Sequence, residues 1–185
     1  SLAIWPFRPV ALGNPPLPRT RIKICGIRDV DNALAAADAG ADAIGFVFAR
    51  RSVRAIAAHE AREIMDVLPP LVSTVGVFVN PTPESFSDVE EVCPTTLVQL
   101  HGNEDEQLVR QLGPFVIKGF RYDAATIAAD LARWDALDEV DAMLIDGSAG
   151  GEGTAFDWRA LAPLLKPIAT PIILAGGLTP QNVGE

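Results

Sequence analysis

From Arg21 onward, short β-branched runs alternate strictly with stretches of helical spacing, and few architectures accommodate that rhythm. Residues 21–25 (RIKIC), 42–48 (DAIGFVF), 73–80 (STVGVFVN), 96–100 (TLVQL), 115–120 (FVIKGF), 142–146 (AMLID) and 171–175 (PIILA) read as strands. Between them, residues 29–39 read as a helix ended by Gly40, and residues 57–68 as one stopped by Pro69-Pro70. Thr82 caps a third helix with Pro83 at its first position. Asn103 caps the fourth, with Glu104, Asp105 and Glu106 in its first turn. Further helices run to about Trp134, over residues 157–165, and onward from Thr179-Pro180.

Apolar strands that alternate with helices make a parallel sheet covered by helices. It can stay open and doubly wound, or close into a (β/α)8 barrel. The first strand-to-helix turn is Cys25-Gly26-Ile27-Arg28, which is not a dinucleotide-binding GxGxxG, and no Walker lysine motif is present. The expected fold class is therefore α/β, a (β/α)8 TIM barrel with about seven βα units visible. Such barrels start at about 200 residues, and this chain has 185. Residues 21–185 are expected to form a C-terminally incomplete barrel domain. Five of the 15 prolines fall in the first 18 positions, so residues 1–20 are expected to be a proline-rich tail or linker remnant.

Composition removes several function classes. A formal net charge of −9 repels a phosphate backbone, so nucleic acid is not an expected partner. No apolar run approaches the ~20 residues that cross a bilayer. The two cysteines, Cys25 and Cys93, form no CxxC pair, and with two histidines they offer no recognisable zinc spacing. A reduced, cytoplasmic chain fits best. The expected partner is a small-molecule substrate, with the chain a monomer or homodimer.

In a parallel barrel, functional groups gather at the C-terminal ends of the strands. That rule selects Cys25, residues 48–54, Asn80, residues 99–101, residues 118–121, Asp146 and Gly176-Gly177. Cys25 and Asp146 end the first and sixth strands, roughly across a barrel from each other. A cysteine with thiolate character and a carboxyl able to act as general acid or base could flank one substrate there, although either could simply pack or cap a loop. Gly150-Gly151-Glu152-Gly153-Thr154 could be a lid. Gly176-Gly177 before a helix start could cradle a phosphate with backbone N–H groups. Arg54, in the Arg50-Arg51-Ser52-Val53-Arg54 cluster, could bind a carboxylate. His101 follows the fourth strand. His59 and Cys93 read as surface and packing residues.

These segments together resemble the phosphoribosylanthranilate isomerases. Lys23-Ile24-Cys25-Gly26-Ile27, Gly45-Phe46-Val47-Phe48 with Ser52-Val53-Arg54, Val75-Gly76-Val77-Phe78-Val79-Asn80 and Gln99-Leu100-His101-Gly102 stand in the family's order. So do Leu144-Ile145-Asp146, Gly150-Gly151 through Gly153-Thr154 with Phe156-Asp157-Trp158, and Leu174-Ala175-Gly176-Gly177-Leu178. The resemblance implies an Amadori rearrangement in tryptophan biosynthesis, without cofactor or metal. It implies Cys25 as general base and Asp146 as general acid. Arg54 would hold the anthranilate, His101 would line the pocket, and Gly151, Gly153, Gly176 and Gly177 would contact substrate. Two departures stand out. The family's eighth strand and second phosphate loop have no counterpart here, and Ala55 stands where an aromatic is frequent. A histidine-pathway sugar-phosphate isomerase is disfavoured, since that type resembles an aspartate pair and here the first strand ends in Cys25. A non-catalytic phosphate-binding partial barrel is the alternative of another class.

Overall fold

The computed structural model describes residues 19–147 and 156–183. Within them, seven strands and six helices alternate: β1 (Lys23–Cys25), α1 (Val30–Asp38), β2 (Ala43–Val47), α2 (Ala58–Val67), β3 (Ser73–Phe78), α3 (Pro83–Val92), β4 (Leu97–Leu100), α4 (Glu106–Leu112), β5 (Val116–Arg121), α5 (Ile127–Asp135), β6 (Val140–Asp146), α6 (Trp158–Leu161) and β7 (Ile172–Ala175). All strands pair in parallel, in the order of the chain. Sequential parallel order is the pattern of a barrel and not of a doubly wound sheet, whose strand order reverses.

Side-chain alternation sorts each strand into two faces. Ile44 and Phe46 of β2 point outward and are fully buried against Ala33 of α1 and Ala61 and Ile64 of α2. Val98, Leu100, Val116, Met143 and Ile145 do the same on the other side, against Ile127, Leu131 and Trp134 of α5. Burying one such side chain stabilises the fold by about 1.5–3 kcal/mol. The opposite face carries Val47, Val75, Val77, Ile117 and Leu144, with Cys25, Ile173 and Ala175 packed on them. One cluster thus gathers residues from β1 through β7, so the sheet curls around a shared interior. This is a (β/α)8 TIM-barrel-like fold.

Helix starts follow local chemistry. Asp29, Thr82 and Asp105 each accept a hydrogen bond from the backbone N–H three residues on. At α2 the Glu60 carboxylate accepts from the Ala57 N–H instead.

Three expectations need correction. The fourth helix is capped by Asp105, not Asn103, because Glu104 turns inward to a buried lysine. β3 ends at Phe78 and not at residue 80, since Asn80 takes a left-handed φ of 47° and turns the chain. Residues after Thr179-Pro180 form hydrogen-bonded turns on the Thr179 carbonyl, not a helix, up to Val183. Both cysteines are free, Cys93 is buried, and His59 is exposed on α2. Among the described residues no helix is long and apolar enough to cross a membrane.

Candidate active site

The C-terminal ends of the strands surround a cavity lined by Cys25, Arg54, Gln99, His101, Asp146, Gly176 and Gly177, with Lys23 lower on its wall. All of these except Lys23 are residues that the sequence marked out at strand ends or in the loops after them. Gly151 and Gly153, and with them the expected lid, lie outside the described residues.

Cys25 and Lys23 are two apart on β1, so both point into the barrel. The inward position beside them on β2 is Gly45, paired with Cys25. A Cβ there would lie 2.8 Å from Cys25 Sγ and 3.1 Å from Lys23 Cε, so the two functional side chains occupy the space that glycine leaves. The next residue, Gly26, has a φ of +86°, and a Cβ on it would meet Arg54 Cδ at 2.7 Å. Arg54 is thereby seated directly on the turn that follows Cys25. Its loop is tied down by Arg28 Nη1, which donates to the Val53 carbonyl at 3.2 Å, and by Ser52 Oγ, which accepts from the Arg54 N–H at 3.2 Å. Arg50 and Arg51 stay exposed on the rim.

Across the mouth, Asp146 ends β6 and is buried. His101 Nε2 lies 3.7 Å from Asp146 Oδ2, and both side chains are largely shielded from water. Burial holds the His101 pKa below the ordinary imidazole value, aided by the Lys118 and Lys23 charges and opposed by Asp146 and Glu104. Burial thus favours the neutral ring over the imidazolium. Its ring fits because the neighbouring position on β5 is Gly119, where a Cβ would fall 2.2 Å from His101 Nδ1. Gln99 Nε2 lies 2.9 Å from the same Nδ1, and Lys23 Nζ donates to Gln99 Oε1 at 2.5 Å.

Beneath the mouth, the loops after β3 and β4 are pinned by one buried ion pair. Lys118 Nζ donates to Glu104 Oε2 at 3.0 Å and to the carbonyls of Leu100, Gly102 and Gly119. Glu104 in turn accepts from the N–H groups of Asn80 and Gly102. Asn80 Oδ1 accepts from the Asn103 N–H at 2.7 Å. Lys118 and Asn80 therefore hold the wall in shape, and Asn80 also lines the cavity.

After β7, Gly176 and Gly177 take φ values of 84° and 66°, a conformation that side chains disfavour. Asn182 closes this turn by donating to the Gly177 carbonyl at 2.8 Å and accepting from the Thr179 N–H at 2.7 Å. The glycine turn faces the cavity as expected, although the anticipated helix N-terminus behind it is replaced by turns. Among the described residues, no three His, Cys, Asp or Glu side chains are grouped to hold a metal.

Lys23 is the one residue here that strand-end reasoning passed over, because it sits two residues before the end. A signal was present: a lysine at the inward position of a short apolar strand must have a polar partner inside.

Residues 22–185 match the family model for N-(5'phosphoribosyl)anthranilate (PRA) isomerase. The N-(5'-phosphoribosyl)anthranilate isomerase of Moorella thermoacetica is 47% identical over 171 residues, covering 89% of this chain and 73% of its own. The crystal structure of phosphoribosyl anthranilate isomerase from Thermus thermophilus superposes with a TM-score of 0.81 at 37% identity, covering 89% of this chain and 80% of that one. A further crystal structure of the isomerase, in complex with reduced 1-(o-carboxyphenylamino)-1-deoxyribulose 5-phosphate, gives a TM-score of 0.76 at 37% identity, covering 90% and 80%. Parallel sequential strands, functional side chains at their C-terminal ends and these likenesses agree: the chain belongs to the N-(5'-phosphoribosyl)anthranilate isomerase family.

Proposed function

We propose that Asp146 and Cys25 divide between them the proton transfers of the family reaction, with Asp146 as general acid and Cys25 as general base. The chain is an isomerase of tryptophan biosynthesis. It converts N-(5-phosphoribosyl)anthranilate into 1-(2-carboxyphenylamino)-1-deoxyribulose 5-phosphate. Asp146 gives its proton to the furanose ring oxygen as the bond from that oxygen to C1 breaks, and the anthranilate nitrogen lone pair forms a Schiff base. Cys25, as thiolate, then takes the proton from C2, and the electron pair moves into a C1–C2 double bond. The resulting enolamine takes a proton at C1 and gives up the proton of its C2 hydroxyl, becoming the ketone. Acid and base must be distinct groups in distinct surroundings for this sequence.

The observation that carries the assignment is that Cys25 and Asp146 line one cavity from separate strands, with Gly45 leaving the room that Cys25 fills. Arg54, seated beside Cys25, supplies a guanidinium for the anthranilate carboxylate. The Gly176-Gly177 turn supplies backbone donors for the phosphate, and by the resemblance Gly151 and Gly153 would contribute to substrate binding. Ring opening and proton abstraction at C2 are each served by a protein group, so neither step is routed through a metal or cofactor. Two free thiols, one of them the base, suit the reducing cytoplasm.

The test is Cys25→Ser. Turnover should fall by ~10²-fold or more, the lower range for a positioned base, with an unchanged thermal unfolding curve. Near-full turnover would remove Cys25 from the mechanism.

A further inference from the structure

Gln99 takes no part in the proposed proton transfers, yet it is 3% exposed at an inward position of β4 and is held at both ends of its amide. The two contacts have a direction. Lys23, as an ammonium group, can only donate, so it fixes which end of the amide is oxygen. The NH2 end is then left facing His101 Nδ1 at 2.9 Å, and an amide NH2 can only donate. His101 Nδ1 must therefore accept, and in a neutral ring the proton then resides on Nε2. Nε2 is the atom that faces Asp146 Oδ2, 3.7 Å away.

We infer that Lys23 and Gln99 are positioning residues that lock neutral His101 as its Nε2–H tautomer, aimed at the Asp146 carboxylate. This rests on the reading of Asp146 as the acid. When Asp146 gives its proton to the ring oxygen it becomes an anion in a shielded place, and a donor preset toward it stabilises that charge without reorganising. His101 keeps its own proton throughout, so acid and donor stay separate groups. The separation of 3.7 Å is long for a hydrogen bond, and catalytic hydrogen bonds commonly tighten only when substrate is bound. The charges around the ring come from three strands and a loop: Lys23 on β1, Lys118 on β5, Asp146 on β6 and Glu104 after β4. Gly119 completes the arrangement by leaving the ring in van der Waals reach of β5.

The tautomer is directly visible. The chain has two histidines, and exposed His59 serves as internal reference. Two-bond proton–nitrogen correlation spectra of the 15N-labelled full chain at pH 8 should show His101 protonated on Nε2 alone. In Gln99→Glu the carboxylate can only accept, so the His101 proton should move to Nδ1 or both nitrogens should carry one. The same substitution should lower kcat roughly tenfold or more with KM changed by less than about twofold, the pattern for a contact made only in the transition state. A wild-type His101 protonated on Nδ1 overturns the inference, whether or not Gln99→Glu folds. So does an unchanged spectrum with unchanged kcat in a folded Gln99→Glu. If instead Asp146→Asn keeps full turnover while the spectrum shows Nε2–H, the role of Asp146 as acid is what fails.

Discussion

Two lysines lie near the mouth, Lys118 buried and Lys23 half-buried, and they are held in opposite ways. Lys118 faces outward from β5 toward the helices and is saturated by a carboxylate, three carbonyls and the ring of Trp134, 5.4 Å below its Nζ. Lys23 faces inward from β1, donates to one neutral amide and adjoins a thiol, and among the described residues it forms no ion pair with a carboxylate. Burial lowers the pKa of both; Glu104 raises Lys118 back and Cys25 raises Lys23 back. A lysine whose every donor is matched by a fixed acceptor serves the fold. One matched only in part, beside the reacting groups, is left to serve the chemistry.

Several experiments would sharpen or break that contrast. Lys118→Met strands the Glu104 carboxylate in the interior and should cost about 3–5 kcal/mol of folding free energy, read from urea unfolding. A loss under about 1 kcal/mol would mean the knot is not structural. Lys23→Met should do the reverse, lowering turnover by roughly tenfold or more through His101 and Cys25 while unfolding within about 1.5 kcal/mol of wild type. A variant that is destabilised yet fully active would make Lys23 another Lys118. Arg54→Ala reaches the same mouth from a surface loop, so it should chiefly raise KM, as loss of uniform binding does; an unchanged KM would take it out of the substrate site.

The smallest effect separates the two thiols in the same spirit. Burial pushes the Cys93 thiol up to about 11. The unfolded chain then ionises first, so the stability that this thiol contributes is complete below the ordinary thiol range and is lost as pH rises toward about 11. The gap in urea midpoint between wild type and Cys93→Ala should narrow across that window. Iodoacetamide at neutral pH should modify Cys25 and spare Cys93, which peptide mass mapping distinguishes.

Most of the strand ends were legible because barrel geometry turns a one-dimensional rule into a location: the last residue of an apolar run faces the site. Cys25, His101, Asp146 and Gly176 were found that way. Glu104 was read as a first-turn charge of the helix, because its spacing before α4 is indistinguishable from one. Only the approach of Lys118 from the next strand shows that it is buried. Lys23 was missed for a related reason, as its partner Gln99 lies on a strand 76 residues later in the chain. Glycines 45 and 119 carry no side chain to advertise their purpose, and their role is visible only as the space that Cys25 and His101 fill.

The central claim is that this chain isomerises N-(5-phosphoribosyl)anthranilate at a mouth where Asp146 is the acid. Substrate fluorescence, followed after adding wild type or Asp146→Asn at equal concentration, tests it most directly. The account predicts rapid loss of the signal with wild type and a rate at least ~10²-fold lower with a folded Asp146→Asn. Equal rates for the two, or no loss of signal with folded wild type, would contradict it.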